Sequence, residues 1–312
     1  MSGQTDLALA IGVEKLYDPS APGSVLEEVG GGFDRFDQQR WISEYRALAA
    51  RAEVEWSPSP ERSIAMDTYG VQASYHMRRY GTTREQIAVA AAKNHMHGSL
   101  NPKAQYRFPM TKEEVLADRP VSGPLTRAMC APIGDGAAAA IVCSEDGLRK
   151  LPHEVRERAL HIRASAVSGG KHRMPDEPSL GRIAGDRAYE MAAVAPEDID
   201  VAEVHDATSF CEIYQMEMLR FCPDGDGGQF VESGATALGG RLPVNTSGGL
   251  VSKGHPIAAT GLSMIAEIAA QLRGEGEGRQ VDGARVGLVE NGGGAIGLEE
   301  AVCAVTILES PR

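Results

Sequence analysis

The chain runs to 312 residues, 42% hydrophobic and 24% charged, which is ample for one large core or two closely packed ones. A formal net charge of −12 argues against a nucleic-acid or anionic-membrane binder, and no apolar run approaches the length of a membrane span. The five cysteines lie far apart without paired spacing, so they read as reduced cytoplasmic thiols with neither a disulfide frame nor a metal site.

Met1 to Asp6 carries no positive region and no cleavage pattern, so it is not read as a secretory signal. Leu7 to Val13 is a continuous apolar run of the kind found in buried parallel strands. Residues 17–65 are irregular. Gly30-Gly31-Gly32 and Ser57-Pro58-Ser59-Pro60 mark loops, and 36–54 between them reads as helical. A helix is expected over 66–80, ending at Gly81. Thr82-Thr83-Arg84-Glu85 is a capping-box signature for the next, which runs to about His95. Thr111-Lys112-Glu113-Glu114 opens a short helix. His95 and His97 sit two residues apart at a helix end and do not share a face, which argues against metal binding. They read as polar loop and cap residues lining a cleft. Pro132-Ile133-Gly134-Asp135-Gly136 is a tight turn before a strand over 137–143, with Asp135 suited to pin loop N–H groups. A further strand is expected over 159–167. The basic loop Ser168-Gly169-Gly170-Lys171-His172-Arg173 follows, read either as a phosphate contact or as a solvated loop.

The second half repeats one grammar. A helix over 182–193 leads to a strand over 199–204 that ends in His205-Asp206. A strand near 242–246 leads through Ser247-Gly248-Gly249 to Gly254-His255-Pro256 and a helix from about Ala259 to Leu272. A strand over 284–289 ends in Glu290-Asn291-Gly292-Gly293-Gly294, and a last strand covers 301–308. This alternation is the α/β pattern, in which ligands collect at the carboxyl ends of strands, so the three polar ends are expected to converge. Gly248, Gly249 and Gly254 permit positive φ or close approach of a ligand. His255 sits just ahead of a helix start, where free N–H groups and the dipole favour negative charge. Its imidazole is suited to donate to an oxygen that becomes anionic during a reaction.

Five pieces stand in order along nearly the whole chain: Asn94-His95-Met96-His97 with Asn101 to Gln105, Cys130-Ala131-Pro132 to Ala138, Glu203-Val204-His205-Asp206-Ala207, Gly254-His255-Pro256, and Asn291-Gly292-Gly293-Gly294. In these the chain resembles the thiolase superfamily, most closely its sterol-carrier-protein and lipid-transfer branch. The resemblance implies an α/β thiolase-like fold of two similar halves with a loop domain, the N-terminal half incomplete. Residues 1–165 would form the first half, with the loop domain inserted at about 17–130, and 166–312 the second. It also implies a coenzyme A thioester as substrate, no permanently bound cofactor, and a homodimer. In the steroid side-chain aldolases of the superfamily it further implies a small OB-fold partner protein.

In the family, a cysteine at a helix start takes the acyl group. The Gly-His-Pro histidine activates that cysteine and helps hold a thioester oxygen, and a second cysteine moves the proton. This sequence begins at the strand that follows the nucleophile's usual place, and none of the five cysteines is assigned that role. The second cysteine's place, two residues before the triple glycine, holds Glu290. The alternative place, after the His-Asp pair, holds Ala207. What the resemblance leaves is His205, His255 and Asn291 as an oxyanion-holding set. Glu290 would be the proton acceptor, given a pKa raised by burial. Asp206 would either fix the tautomer of His205 or cap a helix. Tyr214 is a secondary candidate acid, or a packed aromatic. Ser247, Gly248, Gly249, Gly292, Gly293 and Asp206 are expected around the thioester. The implied activity is carbon–carbon bond making or breaking beside a CoA thioester, as in an acetyl-CoA acetyltransferase or lipid-transfer thiolase. Two alternatives stand beside it. One is a cysteine-independent retro-aldolase of a β-hydroxyacyl-CoA. The other is a non-catalytic acyl- or lipid-binding subunit, or the product of a longer gene. A missing strand–helix block would leave apolar surface exposed, so the chain alone is expected to associate or to be poorly soluble.

Overall fold

The computed structural model describes residues 3, 5–21, 32–33, 37–58 and 63–311. Gly30, Gly31, Phe36 and the Ser59-Pro60 break lie outside these residues. Strand β1 (Leu7–Glu14) is followed by helices α1 (Gln38–Ala52), α2 (Ile64–Tyr80), α3 (Arg84–Ser99) and α4 (Lys112–Ala117). A small hairpin of β2 (Pro120–Ser122) and β3 (Leu125–Thr126) precedes β4 (Gly136–Cys143) and the short helices α5 (Glu145–Arg149) and α6 (His153–Arg156). The second half runs β5 (His161–Gly169), α7 (Leu180–Ala192), β6 (Val201–Glu203), α8 (Ser209–Met218), α9 (Gly227–Glu232), α10 (Gly249–Lys253), α11 (Ile257–Leu272), β7 (Val286–Gly293) and β8 (Val302–Glu309).

Local chemistry sets the helix ends. The Ser63 side chain accepts from the Met66 N–H at the start of α2, and Gly81 ends that helix at φ 80°, a left-handed position that suits glycine. Thr83 and Gln86 close the expected capping box of α3. Helix α3 is buried along much of its length, with Ile87, Ala88, Ala90 and Ala91 all inaccessible to solvent. Its alanines let neighbouring elements come close from several sides. It packs with α4, α8, α9 and α10 at the centre of the largest core cluster.

The main sheet has the order β5-β8-β7-β6, antiparallel except for the parallel β7–β6 pair. The strand expected near 242–246 is reduced to a single parallel bridge from Val244 to Ala202. Strand β5 pairs antiparallel with β8 from His161 to Gly169, with one register shift between Ile162 and Ala164.

The first strand differs from its expected buried parallel form. β1 pairs antiparallel with β4 in a two-stranded ribbon, Leu7 opposite Cys143 and Glu14 opposite Gly136. Small residues explain how the ribbon packs. A Cβ on Gly12 would meet the Ala258 carbonyl oxygen at 2.2 Å, so the start of α11 rests on that glycine. Side chains alternate along a strand, and the opposite face therefore carries Leu9, Ile11, Val13 and Ile141, which are 61%, 62%, 63% and 71% exposed. Asp135 accepts from the Leu16 and Tyr17 N–H groups at 2.8 and 3.0 Å and so fixes the exit of β1. Among the described residues no helix is long and apolar enough to cross a membrane.

Candidate active site

Two loops bring two imidazoles together. His205 follows β6, and His255 lies between α10 and α11. Their ring centroids are 5.0 Å apart at an interplanar angle of 80°. Burial disfavours the charged form of both rings. It pushes His205 down to about 4, and burial with the neighbouring His205 pushes His255 well below its ordinary value. Both are therefore neutral near pH 7, each with one N–H to donate and one nitrogen to accept.

The segment bearing His205 is held at successive positions. The Val204 N–H donates to Asn245 Oδ1 at 2.9 Å, and the His205 N–H donates to Glu290 Oε2 at 3.0 Å. Asp206 is fully buried. It accepts from the Leu250 N–H at 2.6 Å and from Asn94 Nδ2 at 2.8 Å. Asp206 thus anchors the first turn of α10 rather than the His205 ring or its own helix. Asn94 also donates to Glu212 Oε2 at 2.9 Å, and Lys93 Nζ lies 2.8 Å from Glu212 Oε1. Burial, and then the charge of Glu212, push the Asp206 carboxyl well above its ordinary value.

His255 is held from its own helix. Its Nδ1 lies 2.8 Å from Thr260 Oγ1, and that hydroxyl lies 3.0 Å from the Pro256 carbonyl oxygen, to which it donates. A hydroxyl has one proton. Given to Pro256, it leaves Thr260 accepting from Nδ1–H, with Nε2 free as a base. Turned toward Nδ1, it leaves Nε2 carrying the proton as a donor.

Glu290 is fully buried on β7. Beyond the His205 N–H, its Oε1 takes the Cys303 thiol at 3.3 Å. Burial, and then the charge of Glu300, raise its pKa to about 8. Asn291, next along the strand, projects to the opposite face. Its side chain packs on Gly261 of α11, where a Cβ would lie 3.3 Å from Nδ2, and its Oδ1 has no partner among the described residues. The structure therefore pairs the rings of His205 and His255, holds Glu290 on the backbone N–H of His205, and turns Asn291 toward α11, the helix whose Thr260 holds His255.

Most residues expected around the thioester are engaged within the protein. Ser247 is inaccessible and binds Glu203 through both its N–H and its hydroxyl, at 3.0 and 2.6 Å. A Cβ on Gly248 would sit 2.7 Å from Gly98 Cα, one on Gly249 2.3 Å from Asp206 Oδ2, and one on Gly292 2.7 Å from Glu300 Cγ. These glycines serve close packing. Gly293 alone of the set faces open space. His95 and His97 are buried, not cleft-lining: His95 Nε2 donates to the Ala128 carbonyl, and His97 bridges the Asn245 carbonyl and the Leu238 N–H. In the basic loop Lys171 and Arg173 pair with Glu177 and Glu299, and His172 Nδ1 lies 2.9 Å from Glu44 Oε2. Thr260, Asn245 and Asn94 support the site without having been singled out for it. The only signal for them is position: Thr260 lies in the first turn after His255, and Asn94 in the motif of α3.

Four of the cysteines are held as thiols. Burial raises Cys130, Cys211 and Cys222 to about 12 and Cys303 further still. A thiol held protonated is a poor nucleophile.

Comparison with known proteins shows the family. Residues 172–308 match the thiolase C-terminal domain-like family. The chain is 37% identical over 302 residues to the acetyl-CoA acetyltransferase of Methanothermobacter thermautotrophicus, covering 95% of this chain and 72% of that one. It is 36% identical over 304 residues to sterol carrier protein 2 of Bos taurus, covering 93% of this chain and 52% of that longer protein. A solved structure described as the Ltp2-ChsH2(DUF35) aldolase superposes with a TM-score of 0.74 at 22% identity, over 98% of this chain and 73% of that one. The chain belongs to the thiolase superfamily, within its sterol-carrier-protein and lipid-transfer branch.

Proposed function

We propose that this chain cleaves or forms a carbon–carbon bond beside a coenzyme A thioester without a cysteine nucleophile of its own, as a retro-aldolase of a β-hydroxyacyl-CoA. The observation that carries the reading is the pair of neutral imidazoles 5.0 Å apart, with a carboxyl of pKa about 8 held on the backbone N–H of one of them. In the cleavage direction Glu290, in its ionised form, takes the β-hydroxyl proton. The hydroxyl oxygen becomes a carbonyl, the Cα–Cβ bond breaks, and its electrons make an enolate on the thioester. His205 and His255 donate N–H groups to the enolate oxygen, an electrostatic role that needs no acyl-enzyme. The proton held by Glu290 returns to Cα, releasing a shortened acyl-CoA and an aldehyde or ketone. Apo geometry leaves Glu290 enclosed, and catalytic contacts often tighten only when substrate is bound.

The fold likeness to a structure described as an aldolase with a DUF35 component supports the aldol reading and a small OB-fold partner. The thiolase relatives support acyl-CoA as the substrate class. A homodimer and a cytoplasmic location remain parts of this proposal. The test is incubation with 3-hydroxyacyl-CoA substrates, alone and with the candidate partner, scored for acetyl- or propionyl-CoA. Turnover that falls about 100-fold or more in His255→Ala is expected for loss of one oxyanion donor. Turnover equal in wild type, His255→Ala and Glu290→Gln would sink the proposal.

A further inference from the structure

Cys303 and Glu300 join Glu290 in a cluster of ionisable groups over one face of β7 and β8. Gly292 lies directly opposite Cys303 in the register of the two strands, and Glu290, two residues earlier on β7, shares their face. Cys303 is inaccessible to solvent, and its Sγ lies 3.3 Å from Glu290 Oε1. The Glu300 side chain fills the space over Gly292, where a Cβ would lie 2.7 Å from its Cγ and 3.1 Å from its Oε1. Both carboxyls therefore neighbour the thiol. After burial, the charges of Glu290 and then Glu300 hold Cys303 protonated.

The elements packed around this cluster bring no free cation to it. Arg187 of α7 reaches the same face at Ser168, the β5 residue paired with Cys303, and donates to its hydroxyl at 3.0 Å. Arg173 is paired with Glu299. Glu300 also lines a cavity of about 270 Å³ between α2 and α8, together with five tyrosines and Cys211. Burial pushes the nearby Tyr69 and Tyr214 phenols and the Cys211 thiol up, so these groups stay neutral.

We propose that Glu290, Cys303 and Glu300 act as one acid–base unit, in which Cys303 is the hydrogen-bond partner of Glu290 in both of its protonation states and Glu300 supplies the charge against which Glu290 ionises. This rests on the reading of Glu290 as the base of the reaction. Glu290 Oε2 accepts from the His205 N–H, so the carboxyl proton, when present, sits on Oε1 and faces Cys303. A thiol both donates and accepts. Beside neutral Glu290, Sγ accepts from Oε1–H. Beside ionised Glu290, the S–H turns and donates to Oε1. Glu300 acts through its charge. Of two adjacent buried carboxyls, the first to lose its proton holds the other neutral. Burial pushes both up, and the charge of Glu300 raises Glu290 further. Cys303 and Glu300 are thus positioning residues that act through Glu290.

The test is an infrared pH titration of the Cys303 S–H stretch in the full chain, isolated as the band lost in Cys303→Ser. A thiol that donates to a carboxylate absorbs at lower frequency than one that only accepts. The band is therefore expected to move down as pH rises through about 8 in wild type, and to stay in place in Glu290→Gln. Glu300→Gln keeps the shape of its side chain and removes the charge, so the movement should then come about one pH unit lower or more. If that variant does not fold, Glu300→Met reads the same loss of charge. A wild-type band that ignores pH, or a movement at unchanged pH once the Glu300 charge is gone, would overturn the assignment. No turnover is read, so the two proposals separate. The expected band movement in a protein that cleaves no 3-hydroxyacyl-CoA counts against the aldolase reading alone. Cleavage by a protein whose band ignores pH counts against the acid–base unit alone.

Discussion

Glu290 and Thr260 do their work through neighbours. Glu290 has its carboxyl raised to about 8 by burial and by Glu300, so at neutral pH most of it is protonated. A base must be ionised, and activity should therefore rise with pH through about 8. The Glu290→Gln variant should lose both the activity and the pH limb. Stability runs the other way. A carboxyl whose folded pKa lies above its ordinary 4.5 stabilises the fold while protonated, and that contribution is lost as pH rises through about 8. Melting temperatures from about pH 5 to about pH 9 should thus fall more steeply for wild type than for Glu290→Gln. Parallel curves would show that the carboxyl is not held neutral. Thr260 sits at Nδ1 of His255 and decides which face of the ring carries the proton. Thr260→Val should lower kcat by roughly three- to tenfold with little change in KM, the equivalent of one neutral hydrogen bond, and Thr260→Ser should restore it. An unchanged kcat in the valine variant would remove Thr260 from the account. The sequence pointed to His205, His255 and Glu290 by their places at strand ends. It did not separate Glu290 from Asn291, because neighbours on a strand face opposite ways and the strand's exact end is not written in its composition.

At the level of elements, the site depends on how β6, α3, α8 and α10 are tied together by buried polar groups. Lys93 and Asn94 on α3 meet Glu212 on α8, and Asn94 and the α10 backbone meet Asp206. Lys93→Met would leave Glu212 buried and without its cation. A loss of about 3–5 kcal/mol in unfolding free energy is expected, measured by denaturant titration. A loss under about 1 kcal/mol would contradict this. Gly249 has φ 60° and no room for a Cβ beside Asp206, so Gly249→Ala should be strained as well as crowded. Helices with caps and clear periodicity were legible from the sequence. α2, α3, α7 and α11 fall within a few residues of their expected bounds. β1 lies where a strand was expected, but its antiparallel pairing and open face were not legible, because a run of apolar residues carries no sign of which face is covered. Gly12 and the alanines beside it mark the packed face only once α11 is seen lying on them.

Over the whole molecule, the β1–β4 ribbon presents an apolar face to solvent. Leu9, Ile11, Val13 and Ile141 are each more than half exposed and adjacent by register. A contiguous apolar face of this kind favours association. The isolated chain is therefore expected to scatter light as a dimer or larger species, and a clean monomer at micromolar concentration would contradict that. The family motifs made the overall fold legible, since they recur in order along the chain. The tyrosine-lined cavity was not legible, because its walls come from α1, α2, α8 and two loops that are distant in sequence.

The most direct test of the account is the infrared carbonyl stretch of a bound, ¹³C-labelled acyl-CoA. Gripping of the thioester oxygen by His205 and His255 should shift the stretch to lower frequency in wild type, with the shift reduced in both His205→Ala and His255→Ala. A stretch at the free-solution frequency, or one that neither variant moves, would contradict it.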